Sequence, residues 1–500
     1  MSIISIKQEA RPRYSLRSLL TFDSLNPHSC SIAAEHRSKV FEKTTTTTTA
    51  QIINYLGRDV LFSSIQDGGR FLTPEHLEPY RMIGDPPLDD LLEFMDREGC
   101  PLKPGDDLLL SSSCYPVHIQ KRIDAFVERY SSTTLPSWVD TDQLQRGQRV
   151  FLRYAPAISV SLYYRSFVAG FSIPKIAAVI KSTAYLAPPS TPEQVAFRLV
   201  DTGALLGSCM RGLDNILPGA EGWKMCLHVR ILHAKVRRTL LRRTGKRAWK
   251  TDEYGIPINQ EDMAATLLAF SFNTLQGIEF VGGVDIPRNE QEDYIALWRY
   301  IGWLLGAHTD VDQQFSNELI PLDPCGPGWN ESTPDAVDHA SCLLQSIILH
   351  LLKPDQSSVT VSHHLLKIGR PQRKDDGELP SNEEISKAKA SMDFWFHFRA
   401  LSCRYFVGDP LANALELPFH PQFQTRIIIY CCVRLYLWVF RILTWVAFWE
   451  MLGRSRLERY CLGMLGKFHS VWMERHPSRM AKALKTDSPC CPFAMITSED

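Results

Sequence analysis

The sequence has no C-x-x-C pair and no H-E-x-x-H, so the usual spacings for a zinc cage or a zinc hydrolase are missing. It has no G-x-x-x-x-G-K-[ST], no G-x-G-x-x-G and no G-x-S-x-G. Phosphate-cradling loops and the hydrolase nucleophile elbow therefore lose their support. Neither charge is in excess: 55 Lys+Arg face 55 Asp+Glu in 500 residues, which excludes a chain-wide polyanion binder and leaves only local patches. Strand-type alternation is scarce and there is no internal repeat. Thirteen cysteines is an odd number, and Cys431-Cys432 and Cys490-Cys491 are adjacent, a poor arrangement for a metal cage. The thiols read as reduced and mostly buried, in an intracellular protein.

Apolar residues make up 44% and charged residues 22%, enough for a sizeable core. The length allows about three domains or one large helical unit. Residues 1–50 are polar, end in Thr44 to Thr49, and read as a disordered tail. Lys7, Arg11, Arg13 and Arg17 against Glu9 leave a mitochondrial-type presequence open as well. Ordered chain is expected from Gln51, with a helical extension over 51–128. A polar, Gly- and Pro-containing stretch at 369–384 reads as a surface loop, and 483–500 as a loose tail.

The remaining signals are helical, and an all-α architecture is expected. Thr191-Pro192-Glu193-Gln194 has the form of a capping box, opening a helix to about Gly207. Asn259 is a candidate cap, with Glu261 and Asp262 in the first turn facing the positive end of the dipole. A third helix is expected over 290–306, where Gly302 and Gly306 permit close contact.

The apolar stretch 427–452 is broken by Arg434, Arg441 and Glu450, and its longest uncharged piece is eight residues. About 20 are needed to span a bilayer. A core helix, or one lying on a membrane surface, is expected.

The segment 223–250 holds ten Lys/Arg and no acid. Wound as a helix, it gathers Cys226, Val229, Arg230, Val236, Arg237 and Leu240 around His233, while Lys235, Arg238 and Arg242 fall opposite. Two arginines in a mostly apolar stripe need an anion, because unpaired buried charge is costly. Protein carboxylates would serve. So would the propionates of a haem whose iron the histidine holds. Arg198 and Thr202, four apart, share a helix face, either to orient a polar ligand or as a salt bridge with a back-bonded threonine. The basic face of 235–243 also suits a non-catalytic module docking to a membrane or partner. Nucleic acid is not expected, since only Trp223 and Trp249 flank the run.

Taken in order, Arg198-x-x-x-Thr202, then V-R-x-x-H-A-x-V-R (229–237), then G-x-P-I-N-Q-E-D (255–262), resemble the rubber-oxygenase catalytic domain. L-P-x-W-V-D (135–140), R-G-Q-x-V-F (146–151) and W-R-Y-I-G-x-L-L-G (298–306) fall in the same order. The resemblance implies a globin-like helical bundle with a haem-binding core over 129–368 and C-terminal helices over 385–482. It implies haem b as cofactor, His233 as the iron ligand, Arg230 and Arg237 flanking it, and Arg198 and Thr202 on the distal side. The implied chemistry is O2-dependent oxidation of a small, apolar, isoprenoid-like substrate, in the cytoplasm or on the cytosolic face of the endoplasmic reticulum. Two departures separate this chain from rubber-cleaving members. Asp201 stands where they can carry a lysine, and Ile180-Lys181-Ser182-Thr183 offers no distal acid.

Overall fold

The computed structural model describes residues 51–55, 58–62, 71–102, 108–109, 114–131, 135–307, 319, 321–328, 335–368, 382–448, 459–461 and 463. The expected tails at 1–50 and 483–500, and all but the last three residues of the expected loop at 369–384, lie outside these. Residues 382–384 open a helix instead.

The described chain is all-helical apart from one β-hairpin. Strands β1 (Gln51–Tyr55) and β2 (Arg58–Phe62) pair antiparallel, Gln51 opposite Phe62 and Tyr55 opposite Arg58. This corrects the expectation of a purely helical extension over 51–128. The two short runs are rich in Ile, Val, Tyr and Phe around a two-residue connection, which favours pairing over helix. Helices follow: α1 (Pro86–Arg97), α2 (Val117–Ser131), α3 (Thr141–Ser161), α4 (Pro174–Ser182), α5 (Pro192–Met210), α6 (Glu221–Leu241), α7 (Gln260–Phe270) and α8 (Phe272–Gly282). Then come α9 (Arg288–Leu305), α10 (Ala336–Leu351), α11 (Gln356–Leu366), α12 (Asn382–Val407) and α13 (Phe423–Phe448). Buried side chains from Leu72 to Cys461 form one continuous core.

Helix α3 is the hub, packing against α8, α9 and α13. Asp140 caps it, accepting from the N–H groups of Asp142 and Gln143. The R-G-Q motif makes its junctions. Arg146 grips Asp293 of α9 with two bonds of 2.9 and 3.1 Å. Gly147 lets the helices touch, since a Cβ there would lie 2.4 Å from the Asp293 carbonyl oxygen. Gln148 donates to the Cys209 carbonyl at 2.7 Å, tying α3 to α5. A π-helical segment, Leu162–Val168, continues α3 and turns it against α12.

The expected caps form. Thr191 and Gln194 bond reciprocally at 3.2 and 2.8 Å, and α5 runs three residues past Gly207. Asn259 accepts from Asp262 N at 3.0 Å. Gly302 lies against Leu267 and Gly306 ends α9 with φ +90°. The described cysteines are all free, six of them buried.

Helix α13 buries one stripe, Ile429, Val433, Leu437, Arg441 and Thr444, and only 28% of its most apolar window is enclosed. Among the described residues it is the one helix long and apolar enough to cross a membrane. The core-helix reading thus holds for a single face. The arginines do not face water either. Arg441 is buried beside Gly283, and Arg434 lies over the Tyr405 and Tyr430 rings.

Gly147→Ala is expected to lower the unfolding temperature, with an overpacking penalty of about 1–3 kcal/mol at the α3–α9 contact. Gly170→Ala, where nothing lies within 4 Å of an added Cβ, should leave it unchanged or raise it. Thermal melts of both variants against the parent check this.

Candidate functional site

Helix α6 carries the centre of the site. Arg230, His233 and Arg237 lie three and four residues apart and so share one face. Arg230 is 1% exposed and bonds Asp85 twice, Nε to Oδ2 at 2.6 Å and Nη2 to Oδ1 at 2.7 Å. Its guanidinium also lies 4.4 Å from the centre of the Tyr130 ring. Burial works against the charge, but Asp85 outweighs it and holds the Arg230 pKa above its ordinary value. Arg237 Nη1 bonds Asp89 at 2.7 and 3.0 Å, and its other nitrogens reach the carbonyls of Pro257 and Ile258.

A glycine accommodates each pair. A Cβ on Gly306 would sit 2.7 Å from Asp85 Oδ2 and 2.8 Å from Arg230 Nε, and one on Gly84 would sit 2.5 Å from Asp89 Oδ2 and 2.8 Å from Arg237 Nε. Of the two kinds of anion open to these arginines, the described partners are protein carboxylates at the start of α1. The expected flanking arginines are therefore engaged by the protein itself.

His233 is different. Its Nδ1 is buried without a partner, and neither ring nitrogen has a hydrogen bond among the described residues. Desolvation, helped by Arg237, pushes its pKa down to about 4, so the imidazole is neutral with a free lone pair at physiological pH. The residue nevertheless keeps some accessible surface, as do Val229 and Leu232. This arrangement fits an imidazole ligand to haem iron; the two arginines do not supply an obvious pair for the propionates.

Helices α5 and α6 are neighbours. Cys209 and Cys226 sulfurs lie 3.6 Å apart, and Ala204 and Met225 form a small apolar contact outside the main core. Thr202 lies on α5 and His233 on α6. No bond joins them. Thr202 Oγ1 donates to the Arg198 carbonyl at 3.2 Å, within its own helix. Arg198 Nη1 donates to the carbonyls of Ala184 and Tyr185 and to Ser190 Oγ, so it fastens the 184–190 turn. Burial lowers its pKa, and Tyr185 and Asp201 act in the opposite direction. Both residues of the expected distal pair are half-buried on the expected helix, with local bonds in place of a salt bridge.

The acid-free 180–183 stretch closes α4. Thr183 bonds the Val179 carbonyl at 2.9 Å and Arg243 reaches the Ser182 carbonyl at 3.0 Å. The basic face of 235–243 is partly neutralised: Arg238 and Arg242 both pair with Asp96 of α1, while the Arg242 side chain stays 62% exposed.

The G-x-P-I-N-Q-E-D motif supplies the frame. Gln260 Nε2 donates to the carbonyls of Gly84 and Gly306, the two glycines beside the ion pairs. Glu261 and Asp262 hold the fully buried Arg81 at 3.3 and 3.1 Å, and His350 Nδ1 lies 2.7 Å from Glu261. Ile258 takes φ +54°, aiming its carbonyl at Arg237. Sequence reasoning missed Arg81, Asp85, Asp89 and His350, which carry no local signal. An apolar cleft lined by Phe167, Phe171 and Phe270 takes no residue from α5 or α6 and is a separate feature.

Asp85→Ala strands the Arg230 charge and is expected to cost about 3–5 kcal/mol in urea unfolding. Asp89→Ala should cost less, because the Asp89 side chain is 26% exposed and Arg237 keeps two carbonyls. The double change Arg230→Met/Asp85→Leu should recover most of the loss.

No curated protein sequence matches the chain. Among solved structures, it is similar to latex clearing protein LCP in the closed state, at 17% identity and a TM-score of 0.46, over 74% of this chain and 90% of that one. The model for "ER-bound oxygenase mpaB/B'/Rubber oxygenase, catalytic domain" matches residues 174–442, a span that contains α4 to α12 and both helices of the site. With more than half of its length inside that match, the chain belongs to the mpaB/rubber oxygenase catalytic-domain family.

Proposed function

We propose that the protein is a haem b-dependent oxygenase that uses O2 on a small, apolar, isoprenoid-like substrate. The observation that carries this reading is His233: a neutral, unpartnered imidazole that keeps some accessible surface, held between the Arg230–Asp85 and Arg237–Asp89 ion pairs. A bound haem would supply the iron at which O2 is taken up. The chain does the rest. Burial keeps the His233 lone pair available at neutral pH. Arg230 and Arg237 fix the rotation of α6 through Asp85 and Asp89, and thereby the direction of the ring. Val229 and Leu232, on the same helix and only partly buried, offer apolar surface beside the ring suited to a hydrocarbon chain. Thr202 is the polar group on the facing helix, and Arg198 positions the 184–190 turn beside it. Asp201 in place of a lysine points to a substrate other than rubber.

The purified protein should show an intense Soret band with about one haem per chain. His233→Ala should lose the band while its far-ultraviolet dichroism stays helical. An unchanged band in that variant removes the ligand assignment.

The family name includes endoplasmic-reticulum-bound members, and α13 gives this chain a surface for the same setting, on the cytosolic face of that membrane. Every fully exposed side chain from Ile427 to Leu443 is uncharged, among them Ile428, Leu435, Trp438 and Val439. An amphipathic helix of this kind lies in the interface with its apolar face in the acyl region, where an oxygenase would meet lipid-like substrates. Co-sedimentation with phosphatidylcholine vesicles should be strong and insensitive to salt, and Leu435→Asp/Val439→Asp should abolish it. Equal sedimentation of the variant would sink the assignment.

A further inference from the structure

Far along the chain, two histidines and an aspartate converge. Asp393 and His397 are one turn apart on α12, and His420 lies in the segment that leads into α13. One ligand atom from each lies within 4.8 Å of the others. His420 Nε2 is 3.1 Å from Asp393 Oδ2, and the two imidazole rings are 4.7 Å apart. Both histidines are 8% exposed, whereas the Asp393 side chain is half exposed.

Backbone groups meet Nδ1 of each ring: His397 Nδ1 lies 2.9 Å from the Asp393 carbonyl oxygen, and His420 Nδ1 lies 3.4 Å from the Gln422 carbonyl oxygen and 3.2 Å from Gln422 N. With Nδ1 protonated and donating to the carbonyl it faces, Nε2 is left free to bind a metal, the arrangement usual for metal-ligating histidines. The His420 loop is itself held, since Arg426 Nε donates to the His420 carbonyl and Arg404 to that of Leu417. A plain hydrogen bond accounts for the Asp393–His420 contact. It does not account for His397, whose Nδ1 stands 3.5 Å from Asp393 Oδ1 and whose Nε2 has no partner among the described residues.

We propose that Asp393, His397 and His420 bind a divalent transition-metal ion of the zinc type. Two neutral imidazoles and one carboxylate match the donor set of three-ligand zinc sites, which leave a position for water. The half-exposed side of Asp393 provides that position. In a tetrahedral site with bonds of about 2.0–2.1 Å the donors stand roughly 3.3 Å apart. The Asp393–His420 pair already has this spacing at 3.1 Å, and the His397 donor lies within 4.8 Å of both. The ion would clip α12 to the start of α13, the helix with the exposed apolar face, and it is independent of His233.

The full chain, cleared with a chelator, is dialysed against Zn2+ alone and its metal content measured. The parent should hold one zinc more per chain than Asp393→Asn, His397→Gln or His420→Gln, with affinity in each variant at least about tenfold weaker. Asp393→Asn alters a half-exposed side chain and keeps the fold, so it is the decisive variant. Zinc should raise the unfolding temperature of the parent and of His233→Ala, but not of Asp393→Asn. Equal zinc uptake, or an equal thermal shift, in the parent and Asp393→Asn overturns the proposal.

Discussion

Two buried guanidinium–carboxylate pairs set the position of α6, and the rest of the site follows from them. Arg230 with Asp85 and Arg237 with Asp89 bracket His233 on one helix face. An apolar contact would bury as much surface but would tolerate a small roll of the helix. A bidentate fork does not, because rotation breaks both bonds at once. The pairs therefore fix the aim of the imidazole more than they add stability, in keeping with the modest net worth of buried ion pairs.

The same logic extends outward. Gln260 bridges the Gly84 and Gly306 carbonyls, and Arg81 joins Glu261 and Asp262. The segment before α1, the turn before α7 and the end of α9 thus meet around α6. The motifs on which the sequence resemblance rests are mostly joints of this frame. Arg146-Gly147-Gln148 joins α3 to α9 and α5, and Arg299 binds Asp323.

What was legible in the sequence was local. The Thr191 box and the Asn259 cap involve residues three apart, and helix geometry places those together without help from the fold. Winding 223–250 as a helix placed the three site residues on one face for the same reason. The partners of the arginines were not legible, because Asp85 and Asp89 precede them by about 150 residues and look like ordinary surface acids. The Asp96 partner of Arg238 and Arg242 was hidden for the same reason, since it lies in the same distant helix. In α13 the arginines argued against a membrane span and for a core helix or one on a membrane surface. The fold turns Arg441 inward against Gly283 and leaves apolar side chains such as Ile428 and Leu435 exposed.

The anchoring of α6 by residues 81–89 bears on where an autonomous unit of this protein begins. The family match starts at residue 174, inside the frame rather than at its edge. A fragment cut there would keep Arg230, Arg237, Glu261 and Asp262 and lose Asp85, Asp89 and Arg81, the ion-pair partners that hold them. The unit that closes the frame around α6 therefore extends upstream of residue 174, to the segment that carries those three residues.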